Sequence, residues 1–100
     1  MRRISLPQQG LEALYGAHDA NLKHIESLLD VEIRTQGDQL IVKGEAADEE
    51  RVERIFDQLK ALLDDGHVFA NGEVKTAARL LVDNPNVDLR DYFSKDQKQP

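Results

Sequence analysis

The chain has no cysteine and no tryptophan, and only five of its 100 residues are aromatic. Without cysteine there is no disulfide, no thiolate nucleophile and no Cys-based zinc site. Histidine offers no substitute. His18 and His24 are six residues apart, which is not the i,i+4 spacing of a ligand pair on one helix face, and His67 stands alone. No metal site is expected. No apolar run approaches the roughly 20 residues needed to span a bilayer. The start "MRRISLPQQ" is basic but carries no apolar core of a signal peptide. The expectation is a cytoplasmic chain without membrane contact. The pattern G-x-x-x-x-G-K-[ST] is absent, and with it a phosphate cradle, its lysine and a hydroxyl for magnesium. No Ser-His-Asp order or paired-carboxylate spacing suggests hydrolysis. The chain by itself is read as no enzyme and as needing no cofactor.

What is present suits one modest domain. A chain of 100 residues is the size of a single core. It buries roughly 60–70% of its unfolded surface, so it needs no covalent staple. The formal net charge is −6, whereas a free-standing nucleic-acid binder is usually basic. The excess of acid is uneven. Residues 1–44 carry five basic and six acidic groups, while residues 45–100 carry eight and thirteen. Any anion-binding surface is therefore expected in the first half.

Hydrophobic periodicity then divides the chain into elements. "RRISLP" alternates, with Ile4 and Leu6 on one face, and predicts a strand over Arg3–Leu6. Leu11, Leu14 and Tyr15 recur at helical spacing up to Gly16. Asp19 is read as the N-cap of a helix over Asn21–Leu29, whose stripe is Leu22, Ile25, Leu28 and Leu29. Such a cap is worth about 1 kcal/mol. Two alternating runs, Val31–Thr35 and Leu40–Lys43, flank "QGDQ", in which Gly37 is free to take positive φ, and they read as a hairpin. The clearest helix covers Asp48–Asp65, with Val52, Ile55, Phe56, Leu59, Leu62 and Leu63 inward. Acids at its start suit the positive helix end, and Gly66 is its C′ stop. A further helix is capped by Asn71, faces inward with Val74, Ala77, Ala78 and Leu81, and ends before Pro85. "NVDLRDYF" adds one more amphipathic piece, and "SKDQKQP" is expected to be disordered. The order strand–helix–helix–strand–strand–helix specifies an α+β fold: a three-stranded antiparallel sheet with helices on one face, followed by a C-terminal helical extension.

The stretch "YGAHDANLKHI", Tyr15–Ile25, carries the main functional candidate. It turns the chain at a glycine, crosses a short polar tip and enters a helix. Gly16, Ala17, His18, Asp19, Asn21 and Lys23 are the candidate contact residues. Arg2, Arg3, Arg34 and Lys43 are further cations that could join Lys23 in one patch, of which Arg34 and Lys43 are kept as candidates. Tyr15, Phe56, Phe69, Tyr92 and Phe93 are read as packing residues rather than base-stacking platforms.

In this element order the tip resembles the GXXG loop of a KH domain, which clamps the backbone of about four nucleotides. Gly16, Ala17, His18, Asp19, Leu22 and Ile25 fall in phase with G-x-x-G-x-x-I-x-x-I, and only the second glycine is replaced, by Asp19. That carboxylate takes up room and adds a like charge, which at ~4 Å repels a phosphate by about 1 kcal/mol in water. A longer stretch, "LYGAHDANLKHIESLLDVEIRTQGDQLIVKGEAADEERVERIFDQL", resembles the N-terminal domain of PhoH-like ATPases. There the tip reads G-x-x-D with a following Asn, as in Gly16, Asp19 and Asn21. The resemblance implies a KH-like βααββα domain over 1–66, its helical extension over 67–93, and a disordered linker over 94–100 leading to an ATPase domain that is missing here. It also implies ATP and magnesium for the full-length protein, and a role in RNA metabolism and ribosome maturation. The implied partners are RNA or a ribosomal particle, and a protein partner or a homo-oligomer formed through the ATPase domain. The rival expectation is a protein-interaction or oligomerisation module without RNA binding, to which the acidic helix from Asp48 onward points. On either view a pure sample of the chain should hydrolyse no ATP. Turnover that a single substitution within these residues abolishes would show otherwise.

Overall fold

The computed structural model describes residues 1–6, 11–70 and 72–97. Three short strands form one antiparallel sheet: β1 (Arg2–Ser5), β2 (Val31–Gln36) and β3 (Gln39–Gly44), in the order β1-β3-β2. Five α-helices accompany it among the described residues: α1 (Leu11–Tyr15), α2 (Ala20–Leu28), α3 (Ala46–Asp64), α4 (Glu73–Asp83) and α5 (Leu89–Gln97). A 3-10 turn, Ala17–Asp19, separates α1 from α2.

Strand alternation divides the sheet into two different faces. Ile4, Ile33, Leu40 and Val42 point to one side and are buried. In register, Ile33 lies opposite Val42, and Ile4 opposite Leu40. The helices α2 and α3 pack on this side through Leu22, Ile25, Val52, Ile55, Phe56 and Leu59. The other face carries Arg3, Glu32, Arg34 and Lys43 and is exposed. Strands β2 and β3 are joined by Gly37 and Asp38, with Gly37 at φ 62°. The end of β1 is tied to that turn, because Leu6 N–H donates to the Asp38 carbonyl at 2.9 Å.

The long helix α3 stops as its sequence requires. His67 N–H returns to the Leu62 carbonyl at 2.9 Å, and Gly66 N–H to Leu63 at 3.0 Å. This pair of bonds is a Schellman closure, and it needs the left-handed conformation that Gly66 supplies at φ 86°. At the other end, buried Glu49 accepts Gly44 N–H at 3.0 Å and joins α3 to β3. The Met1 amino group, 2.9 Å away, chiefly holds this carboxyl below its ordinary range, and the Gly44 amide adds to the effect. A lowered carboxyl pKa stabilises the fold above the unfolded value, and that contribution is lost as pH falls through the folded value.

The C-terminal helices extend the same apolar cluster, with α4 against α2 and α3, and α5 against α3. Val74, Ala77, Ala78, Leu81, Leu89 and Phe93 are all buried. Three expectations change. Helix α5 runs to Gln97, so residues 94–97 are helical where disorder was expected. The expected cap Asn71 lies outside the described residues, and Gly72 holds the N-cap position of α4. Tyr92 is 39% exposed and meets Phe93 edge-on at 5.2 Å, so it lies on the core's rim rather than within it.

Ile25 is fully buried between sheet and helices. Ile25→Ala should cost about 2–5 kcal/mol, a large share of the 5–15 kcal/mol typical of a domain. The urea midpoint should fall accordingly; an unchanged midpoint would place Ile25 outside the folding core.

Candidate nucleic-acid interface

The loop between α1 and α2 is built from left-handed backbone. Gly16 has φ 80°, His18 has φ 54° and Asp19 has φ 58°. Gly16 N–H closes α1 on the Glu12 carbonyl at 2.9 Å, and Asp19 N–H turns back to the Gly16 carbonyl at 3.2 Å. Asp and His are among the side chains that best tolerate this region. Elsewhere it costs an L-residue roughly 1–2 kcal/mol.

This conformation overturns the expected cap. Asp19 occupies the N-cap position of α2, but its side chain makes no capping hydrogen bond. A capping residue normally has extended φ/ψ, which aims its oxygen at the first free amides of the helix. At φ 58° the Asp19 carboxylate is directed elsewhere, and the residue is exposed.

Asn21 holds the loop together. It is 8% exposed, and its Nδ2 donates to the carbonyls of Leu14 at 3.1 Å and Ala13 at 3.3 Å. Those carbonyls belong to the last turn of α1, where intrahelical partners run out. The same amide fills the space beside Gly16. A Cβ on Gly16 would lie 2.9 Å from Asn21 Nδ2. Glycine is therefore required there twice, by its φ and by its neighbour. A sequence signal was available: position 21 falls in helical phase with Ile25 and Leu28, so a polar residue sits on an apolar stripe.

The candidate cations do not meet at the loop. Lys23 is exposed on α2. Arg34 and Lys43 project from the open sheet face, on the side away from α2 and α3, as does Arg3. Arg2 points to the helical side and donates to Glu53 at 2.7 Å. The single patch expected from the sequence is thus divided between two faces, because residues on alternate strand positions point oppositely. His18 is exposed at the tip.

Two further features were not foreseen. β2 is an edge strand, and its Ile33 N–H donates to Glu26 Oε2 from α2 at 2.7 Å. This places a carboxylate over the strand edge beside α2. The Tyr15 hydroxyl is buried without a hydrogen-bond partner among the described residues. Its burial raises the phenol pKa, and the charges of Asp19 and Asp38 raise it further.

Comparison with known proteins gives one informative match. No family model and no solved structure matches the chain. It is 29% identical over 93 residues to a PhoH-like protein of Mycobacterium leprae (strain TN). The match covers 93% of this chain and 27% of that protein. The similarity supports a relationship to PhoH-like proteins, and the chain spans about a quarter of that relative's length. Among the described residues no helix is long and apolar enough to cross a membrane.

Asn21→Ala leaves two carbonyls of α1 without their donor and should cost about 1–3 kcal/mol. Asp19→Gly should leave stability unchanged or raise it, since it removes a left-handed non-glycine residue and no capping bond. Denaturation of both variants, followed by circular dichroism, checks this. A loss of about 1 kcal/mol in Asp19→Gly would restore the capping role.

Proposed function

We propose that the chain is a non-catalytic, KH-like accessory domain of a PhoH-like ATP-binding protein, presenting RNA or a ribosome-associated partner to the ATPase domain in the cytoplasm. The observation that carries this is the match along nearly the whole chain to a minor share of a PhoH-like protein. The β1-β3-β2 sheet, with two helices and a polar tip between its first two strands, supports the KH-like part. ATP and magnesium would belong to another domain. These 100 residues offer no glycine-rich cradle or lysine in sequence with it, so the chain does not fit the nucleotide.

In this reading Gly16, Ala17, His18 and Asp19 form the tip, Lys23 stands one turn into α2, and Asn21 lies beneath the tip as the clasp. The tip keeps the shape of a phosphate-gripping loop and grips weakly, because Asp19 is exposed beside the start of α2. The second reading, a protein-interaction module, is favoured by the acidic surface of α3, on which Glu50 and Asp57 are exposed.

Fluorescence anisotropy with a labelled single-stranded RNA at two salt concentrations separates the two readings. The wild-type chain should bind weakly at physiological salt, with a Kd near the roughly 10⁻⁴–10⁻⁶ M of backbone-only contacts on DNA. Asp19→Gly should bind about five-fold more tightly, the equivalent of removing one like charge at ~4 Å in water. If neither protein binds RNA at any salt, the protein-interaction reading takes its place.

A further inference from the structure

We propose that the open face of the sheet is the main docking surface for a nucleic-acid phosphodiester backbone, held by Arg3, Arg34 and Lys43 without base readout. This rests on the RNA-binding reading above, but not on the tip.

The first argument is the balance of charge on the open face. On the helical layer acids are interleaved with the cations: Arg2 is paired with Glu53, Arg51 with Asp48, Lys60 with Asp57 and Arg90 with Asp65, while Lys23, Lys75 and Arg79 are exposed without an ion pair among the described residues. On the open face, neither Arg3 nor Lys43 has an ion-pair partner among the described residues, and both are exposed. The only acid projecting from the strands on this face is Glu32, which pairs with Arg34 at 2.6 Å and stands opposite Lys43 in the β2–β3 register. Asp30 and Glu45 lie beyond the strand ends, and Asp38 in the hairpin turn. The face therefore carries three cations and one anion in a chain of net charge −6. Fields of this kind act locally, because salt screens charges beyond about 8–10 Å.

Geometry is the second argument. Arg3 and Arg34 both stand opposite Ile41, one on each outer strand. Two strand spacings separate them by about 9–10 Å, and Lys43 lies about 7 Å along β3 from that row. The three cations thus form a triangle on a rigid pleated surface. Between and beside them are Ser5, Gln36, Gln39 and the half-buried Ile41. None is aromatic, so the face has no platform on which a base could stack. Contacts are then confined to phosphate and sugar, which position a strand but do not read its sequence.

The same features exclude a second copy of this chain. A two-fold contact places identical patches against each other. Here it would bring two net-positive faces together with almost no apolar area in return.

The test uses the whole chain and labelled oligo(U) and oligo(A) of equal length. Arg3→Ala/Lys43→Ala should weaken binding at low salt at least about ten-fold and lower the salt slope by about 1.4, at 0.7 per lost contact to a single strand. Glu32→Gln should tighten binding, because it frees Arg34 and removes the one acid. Arg51→Ala/Arg79→Ala, with the same charge change on the helical layer, should have little effect. The two oligonucleotides should bind alike, and poly-glutamate should not compete. Equal loss in both double variants would show an effect of net charge alone and overturn the proposal. So would loss in Lys23→Ala with Arg3→Ala/Lys43→Ala unaffected, which would return the contact to the tip. Strong competition by poly-glutamate would make the ligand an acidic protein. No RNA binding by the wild type would instead remove the RNA reading itself.

Discussion

The amide of Asn21 is the contact on which the α1–α2 end of the molecule depends. A five-residue helix is too short to be stable alone. α1 persists because its last carbonyls are held by a side chain from the next helix, and because Leu14 is buried in the shared core. The clasp leaves no room for a side chain at Gly16. It also brings the chain back within a few residues, which forces His18 and Asp19 into left-handed backbone. The shape of the tip, its inability to cap α2 and the exposure of its carboxylate all follow from one buried hydrogen-bonded group.

Charge is distributed with the same economy. Acids dominate the chain, yet along the helical layer they are largely spent on partners that hold elements together. Glu49 joins α3 to β3, Glu53 takes Arg2, and Glu73 accepts the Ala70 amide at the start of α4. Glu26 closes the exposed edge of β2, a device that also discourages pairing with another strand. The sheet face opposite the helices escapes this pattern. It has no apolar layer to bury, and Arg3 and Lys43 make no ion pair among the described residues.

A tip with a carboxylate and a sheet face with free cations suggest a division of labour. The loop orders the backbone and sets the angle of α2. The open face is rigid, because its strands are anchored from behind by a continuous apolar cluster that includes Leu40, Val42, Phe56 and Ile25. A site placed on such strands has its charge spacing fixed by the strand register. The helices α4 and α5 pack on α2 and α3 and leave that face uncovered.

The sequence by itself determined the elements, because their signals are local. Period-two and period-3.6 patterning named the three strands and four of the five helices to within a few residues, and Gly37 and Gly66 marked their turns through backbone freedom alone. It also determined what chemistry the chain lacks, since a phosphate cradle or a thiolate is a matter of residue type and spacing. What tertiary structure decided were the relations between distant residues. Asn21 and Asp19 both read as polar residues near a helix start, and only the backbone angles made one a buried clasp and the other a bare left-handed turn. Arg2 and Arg3 are neighbours in the chain, yet the pleat sends one to Glu53 and the other to the open face. Glu26 and Ile33, or Arg3 and Arg34, become partners only when the sheet brings their strands and helices together, and no local pattern encodes that meeting.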